Sequence, residues 1–186
     1  MTPDPYPPRR WPTFAYGGGT YSFDHLDEYV FTVVDTDKIE RRIAVSFSDH
    51  CFTRSPEPGD DPALAYPLSD RRPGHFSVDR YERSRSLRAH IASSVSGKVW
   101  VVQGGNFAVI PTVDSAGVPT YYGIMFSLDR VKGLPVDLQM RVRSAFPYGD
   151  DRPVTYGHVR FRHLVTLRMK GKVPGRLAGS RWPPPR

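Results

Sequence analysis

Six polar side chains are of the types that metal-free cleavage of RNA requires. That reaction needs a base to remove the proton of the ribose 2′-hydroxyl and an acid to protonate the leaving 5′-oxygen. It also needs cations or hydroxyl donors around the charged phosphorane. Histidine, arginine, serine and tyrosine supply all of these groups. The candidate catalytic residues are His50, Arg80, His90, Ser144 and His163, and Tyr148 is a candidate for substrate binding.

Other chemistries lack a convincing set of residues. The six histidines are scattered, and the carboxylates near them do not have the spacing of metal ligands. Gly17-Gly18-Gly19 and Gly104-Gly105 are too short to be phosphate-binding loops. His50 and Cys51 are adjacent, but neighbours on a strand point to opposite faces and cannot easily share a proton. We therefore expect neither a metal nor a cofactor.

The balance of charge favours a polyanionic partner. The net charge is +7 and the isoelectric point is about 9.7, and such a protein is attracted to nucleic acid, anionic lipid or an acidic protein. This observation indicates a class of partner and not one molecule. We expect RNA or another polyanion to bind, and no membrane.

Length and composition predict one globular domain in the cytoplasm. The chain has 186 residues, of which 39% are hydrophobic, and no apolar run approaches the ~20 residues of a membrane span. The N-terminal segment lacks the apolar middle of a secretory signal. The single cysteine, Cys51, cannot form an internal disulfide, which favours a reducing compartment.

Two predicted strands each carry one polar residue in an apolar row. Residues 135–148 alternate with a period of two, and Ser144 interrupts the buried row. Residues 158–169 are predicted to form the last strand, in which His163 interrupts the buried row. Such a residue either bonds a neighbouring carbonyl or lines a site. The two apolar rows are Val136, Leu138, Met140, Val142 and Phe146, and Val159, Phe161, Val165, Leu167 and Met169.

The opposite faces of these two strands carry arginines. If the strands pair as neighbours through the loop at 149–157, the like charges share one face and cost stability. An anionic partner would relieve that cost; the alternative is that the long side chains extend into water. The arginines of this predicted ladder are Arg141, Arg143, Arg160, Arg162 and Arg168.

The remaining pattern predicts an α+β fold, with an antiparallel sheet of about six strands and one main helix packed on one face. A β-hairpin is expected over 20–54, and a helix that Ser77 or Asp79 caps is expected to end at Gly97. The predicted divisions are a flexible arm at 1–19, one domain at 20–170 and a basic flexible tail at 171–186, with a long loop at 55–76.

Two short segments resemble a known family. Ser144-Ala145-Phe146-Pro147 at a strand end, and His90-Ile91 near the end of the preceding helix, resemble the barnase–EndoU–colicin–RelE superfamily of ribonuclease toxins. The resemblance covers 77–170, and the hairpin at 20–54 is not part of the pattern. It implies a small ribonuclease of toxin or mobile-element settings, often with a dedicated inhibitor, here an acidic protein. It also implies that Ser144 contacts the phosphate and that His90 transfers a proton.

Three functions are compatible with these patterns. The first is a metal-independent ribonuclease. The second is a non-enzymatic binder of nucleic acid or of an anionic protein, such as a regulator or a defence or anti-defence factor. The third is an accessory or assembly protein. A ribonuclease requires a histidine and an arginine or serine to converge in a groove, whereas a binder shows a flat basic face with its histidines dispersed.

Overall fold

A seven-stranded sheet with helices on one side forms the centre of the molecule. The computed structural model describes residues 11–67, 74–102, 105–113, 117–147 and 155–174. The strands are β1 (Phe14–Tyr16), β2 (Gly19–Tyr21), β3 (Tyr29–Val34), β4 (Glu40–Phe47), β5 (Thr53–Arg54), β6 (His75–Phe76), β7 (Lys98–Val102), β8 (Gly105–Val113), β9 (Pro119–Arg130), β10 (Leu138–Pro147) and β11 (Thr155–Arg160). The helices are α1 (Val78–Ser84), α2 (Leu87–Ser94) and α3 (Phe161–Met169).

The order of strands in the central sheet is β11-β7-β8-β9-β10-β4-β3. β10 pairs antiparallel with β9 but parallel with β4. The predicted hairpin is present as β3 and β4, and Asp35 closes its turn by accepting hydrogen bonds from the amides of Asp37 and Ile39. The α+β class is therefore confirmed, with seven strands and one parallel pair.

The hydrophobic core lies between the sheet and the helices. Strand residues alternate between the two sheet faces, and the buried parity of β9 is Ile124, Phe126 and Leu128. Leu87 and Ile91 of α2 and Phe161, Leu164 and Val165 of α3 pack in the same cluster. Side chains of this size contribute roughly 1.5–3 kcal/mol each when fully buried. We call the side of the sheet that faces this core the helix side.

The predicted single helix over 77–97 is two helices. The amides of Arg85 and Ser86 bond three residues back, to Glu82 and Arg83, which tightens the backbone at the junction. Ser84 adds to this by donating its hydroxyl to the Tyr81 carbonyl at 2.6 Å. Leu87 and Ile91, which have the i, i+4 spacing of one helix face, are both buried.

The predicted last strand, residues 158–169, is wrong beyond Arg160, where α3 begins. The buried residues Phe161, Leu164 and Val165 have the i, i+3, i+4 spacing of a helix. His163 is consequently exposed on α3 and is not in a buried strand row. The two periods select overlapping sets of apolar residues, since the strand row contains Phe161 and Val165 but not Leu164, which the helix buries.

The predicted arginine ladder is also wrong. β7, β8 and β9 separate β10 from β11, so Arg141 and Arg143 do not pair with Arg160. Arg162 is exposed and Arg168 half-buried on α3. Because strand order depends on long-range pairing, spacing along the chain could not reveal this separation.

A β-bulge in β10 reverses the side-chain alternation near the end of that strand. Val142 pairs with Phe126 and Ser144 with Met125, so Arg143 is an additional residue. Beyond it Ala145 is buried in the core, whereas Ser144 and Phe146 lie on the other face. The prediction that Ser144 and Phe146 face the core is therefore wrong, because the additional residue shifts the register by one and turns both side chains to the other face.

Part of the predicted N-terminal arm is packed. The Trp11 ring lies 5.3 Å from the Phe52 ring, and the Phe14 ring lies 5.0 Å from the Phe76 ring. β1 and β2 thus close over the segment that follows β4. Residues 1–10, the middle of the long loop at 68–73 and most of the predicted tail, 175–186, lie outside the described residues.

We predict that Asn106→Val stabilises the fold. Asn106 is 1% exposed in β8, between Val101 and Phe126, and both its amide atoms lack a hydrogen-bond partner among the described residues. Replacing an unsatisfied buried amide by an apolar side chain should raise the free energy of unfolding by about 1 kcal/mol. Urea denaturation measures this, with Thr120→Val in β9 as the control. A loss of stability in Asn106→Val would contradict the prediction.

Candidate functional site

The five predicted catalytic residues do not meet at one place. Arg80 and His50 are in contact, since Nη1 of Arg80 donates to the His50 carbonyl oxygen at 3.0 Å. The His90 ring packs against the Tyr122 ring with 5.4 Å between centroids. Ser144 lies on the other face of the sheet, and His163 is exposed on α3. The structure therefore separates Ser144 and His163 from the other three.

A polar cluster lies where α1 and α2 approach the sheet. We call it the Tyr122 cluster. The Tyr122 ring contacts that of His90, Tyr122 interacts electrostatically with Cys51 and Arg80, and Cys51 interacts in the same way with Asp49. Oδ2 of Asp49 and the hydroxyl of Tyr122 are buried without a partner among the described residues. Burial raises the pKa of Tyr122, the Cys51 thiol acts in the same direction, and the Arg80 charge opposes both. The Tyr122 hydroxyl is thus a protonated donor near a guanidinium.

The protonation states of the Tyr122 cluster limit its chemistry. Burial raises the pKa of Cys51 to about 12, so the thiol stays protonated and is not a nucleophile at neutral pH. Burial lowers the pKa of His90, which keeps its imidazole neutral. A neutral imidazole, a phenol and a guanidinium can exchange a proton and hold an anion, but they supply no activated nucleophile.

Sequence reasoning missed Asp49 and Tyr122. Tyr122 has the buried parity of β9, which by itself indicates a core residue. Asp49 belongs to a short 3-10 turn, Asp49–Cys51, that directly follows β4. The available signal was the crowding of polar residues just after an apolar strand.

The other face of the sheet carries a second hydrophobic cluster. We call this face the open face, because the core residues of the helices pack on the opposite side. Val102 is buried there, with partly buried hydrophobic side chains around it. The His158 ring lies 6.1 Å from the Trp100 ring, at the edge of the same cluster. The partly buried members are Trp100, Val109, Tyr121, Met125 and Phe146.

Exposed cations lie on two sides of this open-face cluster. Lys98 pairs with Arg160 across β7 and β11, and both are exposed. Arg141 is exposed on β10, and Arg143 is exposed at the bulge beside it. Four strand spacings separate β11 from β10, which is about 19 Å at roughly 4.8 Å per spacing. Three arginines of the predicted ladder, Arg141, Arg143 and Arg160, thus lie on two sides of an apolar surface. Tyr148 lies outside the described residues.

Ser48 fixes the bulge that places Ser144 and Phe146 on the open face. Its amide donates to the Val142 carbonyl at 2.9 Å, and its hydroxyl donates to the Arg143 carbonyl at 2.7 Å. The same hydroxyl oxygen accepts from the His50 amide at 3.1 Å and caps the Asp49–Cys51 turn. One side chain therefore connects the Tyr122 cluster to the strand that borders the open face.

A serine–histidine pair elsewhere has a structural role. Nε2 of His25 lies 2.7 Å from Oγ of Ser84, which resembles a base beside a nucleophile. The Ser84 hydroxyl already donates to the Tyr81 carbonyl, so His25 must be the donor. Ser84 is 1% exposed and has no access to a substrate. The pair therefore joins the segment at Asp24–Leu26 to α1.

The described residues contain no group of three His, Cys, Asp or Glu side chains that could hold a metal ion. Within the same ranges, no helix has the length and apolarity needed to cross a bilayer.

The model of the YjaZ family matches residues 13–168. Since this match covers most of the chain, the protein belongs to the YjaZ family. A search of curated proteins and a search of solved structures each gave no match.

We predict that Ser48→Ala destabilises the fold by about 1–2 kcal/mol, because it removes the hydrogen bonds of the Ser48 hydroxyl to the Arg143 carbonyl and the His50 amide. Chemical denaturation measures the change. Ser93→Ala is the matched control, since the exposed Ser93 hydroxyl only bonds back to the Ala89 carbonyl within α2. Equal effects of the two substitutions would contradict a clamping role for Ser48.

We predict that stability falls as the pH decreases below about 6.5. Burial lowers the pKa of both His25 and His90 below 6.5, and the charges of Arg85 and Arg88 lower that of His25 further. The unfolded chain therefore binds protons at higher pH than the folded chain. The resulting stability is present above pH 6.5 and is lost as the pH falls through the folded-state pKa values.

Urea denaturation at pH 7.5 and pH 5.5 measures this dependence. His25→Asn and His90→Gln should each reduce the difference between the two pH values, whereas substitution of the exposed His163 by Gln should not. A pH dependence unchanged in the first two variants would contradict the assignment.

Proposed function

We propose that this YjaZ-family protein binds nucleic acid through its open face, with RNA as the first ligand to test, and that it acts as a non-enzymatic binding module. The observation that supports this most is the apolar surface between Arg141 and Arg143 on one side and Lys98 and Arg160 on the other. Nucleic-acid affinity comes largely from cations that neutralise phosphates. The net charge of +7 acts in the same direction.

The distribution of histidines also supports a binding role. His90 lies on the helix side, His158 is on the open face, and His163 is exposed on α3. Ser144 is separated from His90 by the sheet itself. A catalytic centre of the expected kind requires an acid and a base within hydrogen-bond reach of one phosphate.

A metal-independent ribonuclease is the second candidate, and the Tyr122 cluster is the observation that favours it. His50, Arg80 and His90 are three of the five expected catalytic residues, and all lie around this cluster. Arg80 would hold the phosphate, and the neutral His90 would accept a proton. Incubation of RNA with the protein in EDTA tests this possibility. Cleavage that both Arg80→Gln and His90→Gln abolish, while retaining their fold, would favour the ribonuclease over the binding module.

We predict that Arg141→Gln combined with Arg160→Gln weakens RNA binding and reduces its salt dependence. Each phosphate contact to a single strand contributes about −0.7 to the slope of log affinity against log salt. Loss of both contacts should thus reduce the magnitude of that slope by about 1.4. Fluorescence anisotropy with a labelled oligonucleotide over a range of salt concentrations measures both quantities.

The matched control removes the same charge from the helix side. Arg85 and Arg162 are exposed on that side, and their replacement by Gln also lowers the net charge by two. This control should retain most of the affinity. Equal losses in the two double variants would show that only the net charge matters and would contradict an open-face site.

A further inference from the structure

The open face has an unusual composition for the solvent side of a sheet. Trp100, Tyr121, Met125 and Phe146 are all only partly buried there. A sheet with one face in the core normally carries polar residues on the other face. Single exposed hydrophobic residues need no explanation, but a contiguous group marks a binding surface.

We propose that the open face binds single-stranded nucleic acid by stacking its bases on Trp100, Tyr121 and Phe146. This inference rests on the proposed function and specifies its ligand. Bases in a duplex are stacked on one another and expose only their edges, whereas bases of a single strand can stack on aromatic side chains. The aromatic surface therefore selects for an unpaired strand.

The positions of the cations fit this ligand. Single-strand binding sites combine a basic track for the backbone with aromatic side chains for the bases. Arg141 and Arg143 lie at one side of the aromatic residues. Lys98 on β7 and Arg160 on β11 lie three and four strand spacings away, which is about 14 and 19 Å at roughly 4.8 Å per spacing. A single strand of nucleic acid that crosses the face from β10 to β11 would meet Phe146 beside the cations of β10, then Tyr121 on β9 and Trp100 on β7, and then Arg160.

Gly123 shapes the centre of this surface. In the sheet register Val109 and Phe146 each lie opposite Gly123, on β8 and β10 respectively. Gly123 is itself buried. A strand glycine often marks a place where another group approaches closely. Because glycine has no side chain, this position leaves space beside Val109 and Phe146 on the open face.

The bulge in β10 is the second determinant of this surface. Without Arg143 as an additional residue, Phe146 would share the parity of Val142 and face the core. The sequence around the bulge thus moves an aromatic ring from the helix side to the open face. Bulges are known to re-aim side chains near functional sites.

The test compares labelled oligonucleotides of about 16 nucleotides as single-stranded RNA, single-stranded DNA of the same sequence, and duplex RNA, using fluorescence anisotropy at one salt concentration. We expect the wild-type protein to bind both single strands more tightly than the duplex. Trp100→Leu and Phe146→Leu should each weaken single-strand binding by about tenfold, with the salt slope unchanged. Tyr121→Leu is a further variant if either of these fails to fold.

Phe31→Leu is the matched control, because Phe31 is a partly buried aromatic residue on the helix side of the same sheet. It should leave the affinity unchanged, and thermal unfolding checks each variant. Equal binding of single strand and duplex, together with unchanged affinity in the folded aromatic variants, would overturn this inference. The proposed function would still hold in that case if Arg141→Gln combined with Arg160→Gln weakened RNA binding. Absence of binding to all three oligonucleotides would overturn both.

Discussion

The parallel pairing of β10 with β4 is the constraint on which the rest of the fold depends. Parallel neighbours need a long crossover, and here it contains α1, α2 and strands β5 to β9. Both ends of the pairing have side-chain clamps. At the start, Oδ2 of Asp137 accepts from the Arg42 amide at 2.8 Å, and the Asp137 amide donates to the Arg42 carbonyl at 2.9 Å. At the other end Ser48 holds Val142 and Arg143.

This pairing also fixes the two faces of the sheet. Five successive pairs, from Leu138 with Ile43 to Val142 with Phe47, keep the buried residues of β10 and β4 in line. The parallel ladder ends at the bulge, after which β10 continues beside β9 alone with reversed parity. The segment from Val142 to Phe146 thus places Val142 and Ala145 in the core and Phe146 on the open face.

The sequence predicted the class of fold and several of its elements. Alternation over residues 40–47 and 138–142 is clear, because one parity of each strand is apolar, and the turn residues at 35–38 mark the hairpin. Alternation failed at Arg143, since counting by twos cannot detect an extra residue. It failed again at Phe161, where the helical and strand periods select overlapping sets of apolar residues. Strand order was not accessible, because it depends on pairing between distant segments.

The sequence predicted the types of residue in the candidate site better than it predicted where they lie in the fold. The number of arginines, aromatic residues and histidines in the chain is enough to favour a polyanionic partner. Their grouping depends on strand order, which places Arg141 and Arg160 on opposite sides of an aromatic surface and not in one ladder. The Tyr122 cluster was hidden for a different reason. A tyrosine at a buried strand position looks like a core residue until its hydroxyl is found without a partner among the residues that the structure describes.

The strongest functional signal is the pattern of β9. Its residues from Tyr121 to Phe126 are apolar or glycine at both parities, so they could not give the alternation of a half-solvated strand. One parity, with Tyr122, Ile124 and Phe126, fills the core under the helices. The other parity, with Tyr121 and Met125, contributes less burial of apolar surface to the stability of the fold, since these side chains stay partly exposed. A residue pattern that departs from what the fold requires favours a binding surface, and the cations on both sides of this strand have the charge that the ligand we propose would need.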